Sequence, residues 1–104
     1  MIQFHHVGVP TSAKQPDERY VAGAKVFITN PDTHPFRFEL LRFEPGSPMP
    51  AILQKGAHVA YMVDDLDAVL KGQQVLVPPF DASPTLRVAF LMQDGQAVEV
   101  MQQK

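Results

Sequence analysis

The sequence predicts an α+β domain made mostly of short strands and built from two related halves. Three observations carry this expectation. Ten prolines are spread through the 104 residues, at 10, 16, 31, 35, 45, 48, 50, 78, 79 and 84. Proline is excluded from helix interiors and central strands, so regular elements are expected to fit between these positions and to be brief. Between the prolines lie apolar runs rich in β-branched and aromatic residues, the pattern of strands. Finally, His6-Val7-Gly8-Val9 returns as His58-Val59-Ala60-Tyr61, 52 residues later, half the length of the chain.

The elements follow in order. IQFHHVGV (2–9) reads as a strand closed by Pro10, and the polar stretch 11–23 as loop with at most one helical turn near 17–22. AKVFIT (24–29) is a strand ended by the turn signal Asn30-Pro31-Asp32, and FRFELLRF (36–43) is a strand between Pro35 and Pro45. A proline-rich connection then admits one helical turn over 49–54. AHVAYMV (57–63) opens the second half as a strand. Asp64 or Asp65 is placed to cap a short helix over 66–71, with Gly72 as its stop. QVLV (74–77) is a strand expected to end at Pro78-Pro79. LRVAFLM (86–92) and AVEVMQ (97–102) form a hairpin around Asp94-Gly95.

Composition excludes several classes of function. There is no cysteine, which removes disulfide scaffolds, thiol nucleophiles and Cys-ligated zinc or iron–sulfur sites. Lys plus Arg number 9 against 11 Asp plus Glu, a net charge of -2, which argues against binding nucleic acid by phosphate neutralisation. No apolar run approaches the ~20 residues that span a bilayer, and the first residues lack the pattern of a secretory signal. A soluble cytoplasmic domain acting on a small molecule is the expectation. The six glycines are too dispersed for a nucleotide-binding loop.

The chemistry concentrates in the repeat. Each half has a strand histidine followed, two residues on and on the same face, by a very small residue. Each half also closes on a strand with a glutamate among apolar neighbours, Phe38-Glu39-Leu40 and Val98-Glu99-Val100. A carboxylate buried without a partner is very costly, so two at equivalent places imply a shared site. Two imidazoles and two carboxylates suit a divalent metal of borderline character: Zn, Ni, Co, Mn or Fe. His6 rather than His5 fits the repeat register, and His5 is expected on the opposite face.

These motifs resemble the vicinal oxygen chelate superfamily, which includes glyoxalase I and methylmalonyl-CoA epimerase. FHHVGVPT is similar to its opening strand and FELLRFEPGSP to the strand and loop that close its first module. AHVAYMVDDLDAVL and LRVAFLMQDGQAVEV resemble the His strand, capped helix and final hairpin of its second module. The resemblance implies paired βαβββ modules, here about 1–50 and 56–104, forming a curved mixed sheet around a cavity. The first module looks abbreviated in its helix and one strand. By the same resemblance His6, Glu39, His58 and Glu99 are the metal ligands, with Glu99 or Glu39 moving a proton. A metal-dependent isomerase, epimerase or lyase is implied, stabilising an enolate while it chelates neighbouring substrate oxygens. A homodimer is implied too, because a short first module leaves a wall for a second chain to complete. A metal-free binding or drug-sequestering protein and a non-haem iron dioxygenase stand as alternatives on the same fold. Arg37, two residues from Glu39, is a candidate for an anionic substrate, and Tyr61, Met62 and Arg87 are candidate pocket lining. His34 and Glu44 read as solvated loop residues, and Asp64, Asp65 and Asp67 as helix-terminus charges.

Overall fold

A computed structural model of the chain describes residues 2–104. Eight strands form one mixed, curled sheet: β1 (Ile2–Pro10), β2 (Arg19–Val21), β3 (Val26–Ile28), β4 (Phe38–Phe43), β5 (His58–Val63), β6 (Gln74–Ser83), β7 (Leu86–Gln93) and β8 (Gln96–Gln103). Two short α-helices interrupt them, α1 (Ala51–Lys55) and α2 (Leu66–Leu70), and two 3₁₀ turns, Ala22–Ala24 and Pro31–Thr33. The fold class is α+β with βαβββ-type organisation, as expected. The spatial order is β2-β3-β4-β1-β5-β8-β7-β6. Read outward from the middle, each half gives the same series: first strand, last strand, third, second. β1 and β5 pair antiparallel at the centre, and each pairs in parallel with the closing strand of its own half. The sheet is therefore two copies of one unit joined about the β1–β5 seam.

Alternation along the strands sorts side chains onto two faces. On the outer face α2 covers the second half. Leu66, fully buried, packs with Val63, Ala89, Leu91 and Val100. The Asp65 side chain accepts from Ala68 N, and Gln102 Oε1 accepts from Leu66 N at 2.7 Å, so two of the free N–H groups at the start of this short helix are satisfied. The first half has no corresponding helix, as its short sequence implied. Its outer face is instead tied down by the loop 11–18. Arg42 on β4 holds Glu18 with two hydrogen bonds, 2.8 and 2.7 Å, while its guanidinium lies 4.3 Å from the Phe27 ring centre.

Two expectations about elements fail, for identifiable reasons. Residues 19–21, read as loop, form β2, because Arg19, Tyr20 and Val21 pair with Ile28, Phe27 and Val26. Three residues carry too little pattern to announce a strand, and only the partner makes it one. β6 does not stop at Pro78-Pro79 but runs through both to Ser83. It is the outermost strand, and its pairing with β7 shifts register around Val77 and Phe80. An edge strand with irregular pairing needs no N–H from proline. The Asp94-Gly95 hairpin forms as read, with both residues at positive φ (54° and 77°). No helix is long and apolar enough to cross a membrane among the described residues.

The Arg42 guanidinium holds the Glu18 carboxyl at about 2, well below its ordinary value, so the clamp persists across ordinary pH. Arg42→Ala should free the loop, giving faster tryptic cleavage after Lys14 with the far-UV circular dichroism unchanged. Equal cleavage rates would mean that something else holds the loop.

Candidate metal centre

The register of the central strands builds the site. Across β1–β5, Val7 opposes Val59, His6 opposes Ala60 and Gly8 opposes His58. Along the parallel pairs, Gly8 lies beside Glu39 and Ala60 beside Glu99. Both histidines and both glutamates thus reach the inner face. The small residues noted in the repeat now have a function. Each one sits across the strand from the other half's histidine and leaves room for its ring. The need is acute at Gly8, where an added Cβ would lie 2.2 Å from His58 Cε1.

His6, His58 and Glu99 are all buried, at 0%, 1% and 7% exposure. One ligand atom from each lies within 4.8 Å of the others. His58 Nε2 is 3.0 Å from Glu99 Oε1. His6 Nε2 lies 3.4 Å from the same oxygen and 3.5 Å from Glu39 Oε1. It makes a well-formed hydrogen bond to neither, and it is buried. Glu39 stands outside the tight trio, against His6 alone. A buried ring nitrogen facing two carboxylates without a hydrogen bond, next to a second imidazole, is a donor set suited to a divalent cation.

The two glutamates differ electrically. Burial raises the Glu39 carboxyl, and the Glu99 charge adds to it, holding it at about 7. Burial also pushes Glu99 up, but the His58 and His6 contacts outweigh this and hold it at about 2. Burial lowers His6, while the close Glu99 carboxylate and the Glu39 charge more than compensate, leaving it above its ordinary value.

The inner face closes around a cavity of about 70 Å³ whose walls come from both halves. Glu39, His58 and Glu99 are its polar end. Val26, Leu41, Phe43, Leu53, Val88 and Phe90 supply much of the apolar wall. Leu53 is carried there by α1 and packs on Phe90 and Ala97.

Three residues expected to meet substrate, Arg37, Tyr61 and Arg87, do not line this cavity. Arg37 does not share the Glu39 face. It precedes β4 in a left-handed conformation (φ 58°), pairs with Asp32 at 2.9 Å and donates from Nε to the His5 carbonyl. Tyr61 is an odd-numbered residue of β5 and points outward, edge-on to Phe4. Arg87 also faces outward and pairs with Asp67 of α2 at 3.3 Å. Met62 is on the inner face but packs on the core of Ala60, Val88 and Met101 rather than lining the cavity. His5 is not opposite His6, since its ring contacts the His6 ring. His34 stacks on Phe38 and Glu44 accepts from Tyr20, outside the site. The residue that the sequence did not announce is Arg19. It lines the cavity with Glu39, and alone of the four arginines it makes no ion pair among the described residues. Its position depends on β2, which has no sequence signal of its own.

No family model and no curated protein matches the chain. Solved structures do. A hypothetical protein, BH1468, of Bacillus halodurans C-125 superposes with a TM-score of 0.70 at 19% identity, covering 99% of this chain and 95% of that one. Methylmalonyl-CoA epimerase of Mycobacterium tuberculosis gives 0.65 at 15% identity, covering 96% and 87%. The chain has the fold of these two proteins. At such identities the likeness speaks for the fold alone, and the site must be argued from the residues of this chain.

Two outcomes test the site as built. Gly8→Ala should cost roughly 1–3 kcal/mol by overpacking and displace the His58 ring, read by chemical denaturation and the imidazole NMR signals. An unperturbed ring would refute the close approach. The glutamates predict opposite pH dependences for the metal-free protein. Between 4.5 and about 7 the unfolded chain has released the Glu39 proton and the folded chain has not, so stability falls as pH rises. Glu99 binds its proton more weakly when folded, so its contribution is present above 4.5 and is lost as pH falls towards about 2. Glu39→Gln should flatten the first loss and leave the second.

Proposed function

We propose that the chain is a metal-dependent enzyme of the vicinal oxygen chelate type that moves a proton next to a carbonyl, as an epimerase, isomerase or lyase of the glyoxalase kind does. The observation that carries this reading is the buried meeting of two glutamates with His6 and His58, in which Glu99 touches both imidazoles and Glu39 touches His6 alone. Carboxylates whose environments push them apart divide the labour of ligand and acid–base group. Glu99, held low between His58 and His6, is the ligand. Glu39, at the edge of the trio and titrating near neutrality, is the proton carrier.

His6, His58 and Glu99 would hold a divalent metal, with Glu39 a fourth donor within reach. When bound, the metal supplies a Lewis acid for a substrate carbonyl oxygen. Glu39 as carboxylate takes the proton from the carbon beside that carbonyl and, as the acid, returns it to that carbon or to the neighbouring one. The apolar wall excludes water from the exchange. A cavity of about 70 Å³ admits only the reacting end of a substrate, far below the ~300–1,000 Å³ of pockets that enclose whole ligands. The remainder of the molecule lies outside, where the unpaired Arg19 would meet an anionic group. The likeness of fold to methylmalonyl-CoA epimerase supports the same class of reaction.

One observation favours a second reading. The tight trio of two histidines and one carboxylate is also the donor set of non-haem iron oxygenases. Oxygen consumption by the Fe(II)-loaded protein would select it.

The test combines metal content with proton exchange. Purified protein should contain about one divalent metal per chain, and His58→Ala with Glu99→Gln should lose it while staying folded. Glu39→Gln should keep the metal. With α-branched acyl thioesters and 2-oxoaldehyde hemithioacetals in D2O, the native protein should wash deuterium into the α-position, and Glu39→Gln should be slower by roughly 10²–10⁴-fold. Full exchange in Glu39→Gln would overturn the assignment of the base. No metal uptake from Zn, Ni, Co, Mn or Fe(II) would overturn the enzyme reading and leave a small-molecule binding protein.

A further inference from the structure

β1 is not a regular strand at the site. Its pairing with β5 runs Phe4 to Tyr61 and then His6 to Ala60, so His5 is an extra residue with no partner. A bulge of this kind re-aims a side chain. Here it brings His5 Nδ1 to 2.8 Å from His6 Nδ1, with the two rings nearly perpendicular at 79°. The bulge is buttressed from behind. Arg37 Nε donates to the His5 carbonyl, and Arg37 is fixed in turn by Asp32 at 2.9 Å.

From this geometry we infer that His5 is a positioning residue, which accepts a hydrogen bond from His6 Nδ1–H and so keeps His6 Nε2 available as a metal ligand. Two nitrogens 2.8 Å apart must share one proton. Were it on His5, neutral His6 would carry its own proton on Nε2, and that nitrogen could not bind a metal. With the proton on His6 Nδ1, the ring orientation is fixed and the Nε2 lone pair points at the place where His58 and Glu99 converge. Metal-ligating histidines almost always donate their other ring N–H to such an outer partner. His58 has none, since its Nδ1 is buried without one. The orienting contact belongs to the first half alone.

This inference rests on His6 being a ligand, and its test separates the two claims. Ring nitrogen NMR of the zinc-loaded protein should show His6 protonated at Nδ1 and His5 bare at Nδ1. The Nε2–H form of His6 would overturn the proposal. Zinc affinity, measured against a competing chelator, should fall ~10–100-fold in His5→Leu. His5→Asn should restore most of it, because the amide oxygen accepts from the same place. Equal affinity in His5→Leu and the native protein, or no rescue by His5→Asn, would also overturn it. Native protein that binds no zinc would refute the metal centre and this role with it, whereas zinc bound with His6 bare at Nδ1 would refute the role of His5 alone. The tautomer and the Asn variant keep the test decisive should His5→Leu fail to fold.

Discussion

Everything in this molecule depends on how β1 meets β5. The two strands cross antiparallel with Val7 opposite Val59, and that single register places each half's histidine against the other half's smallest residue. A slip of one residue would put the two histidines on opposite faces of the sheet and break up the donor set. Gly8 and Ala60 are therefore as much part of the site as the ionisable groups. A side chain at Gly8 would occupy the volume that the His58 ring fills. The parallel neighbours β4 and β8 then need only ordinary pairing to deliver Glu39 beside Gly8 and Glu99 beside Ala60.

The near-symmetry of the scaffold does not extend to the electrostatics. Glu99 touches both histidines, whereas Glu39 touches one. A carboxylate with two imidazole partners can stay ionised inside an apolar wall. One with a single partner and a like charge nearby is driven towards its neutral form. Duplicated strands thus yield two chemically distinct acids. The bulge at His5 is a further asymmetry, confined to the first half and to the ring that faces both carboxylates. The surroundings of each group, rather than its residue type, set the two carboxyls apart.

The outer face shows how a half that lacks its helix still covers its sheet. In the second half, Leu66 of α2 buries itself on Val63, Ala89, Leu91 and Val100. In the first, the Glu18–Arg42 pair and the Phe27 ring hold the loop 11–18 across the strands. A hydrophobic plug and a charge-assisted clamp are different solutions to one requirement, that the outer ends of the sheet remain attached while the inner face holds the cavity.

The sequence by itself determined the features that repeat or punctuate. The 52-residue echo of His-Val-Gly in His-Val-Ala, the glutamates among apolar neighbours, the aspartate cap (Asp64 or Asp65 in the sequence, Asp65 in the structure) and the Asp-Gly hairpin are local signals, and each formed. The meeting of His6, His58, Glu39 and Glu99 on one face followed from strand periodicity. Tertiary structure decided whatever depended on a neighbour. Arg19-Tyr20-Val21 is a strand only because β3 lies beside it. Pro78 and Pro79 are tolerated only because β6 has one paired side. Arg37 and Arg87 were attractive as free cations but are spent on Asp32 and Asp67, leaving Arg19, which the sequence did not single out, at the cavity. His5 followed the alternation rule to the wrong face, because a bulge is a property of two strands and no single strand encodes it. Periodicity is carried by one segment, whereas ion pairing, edge position and bulges arise only when segments meet.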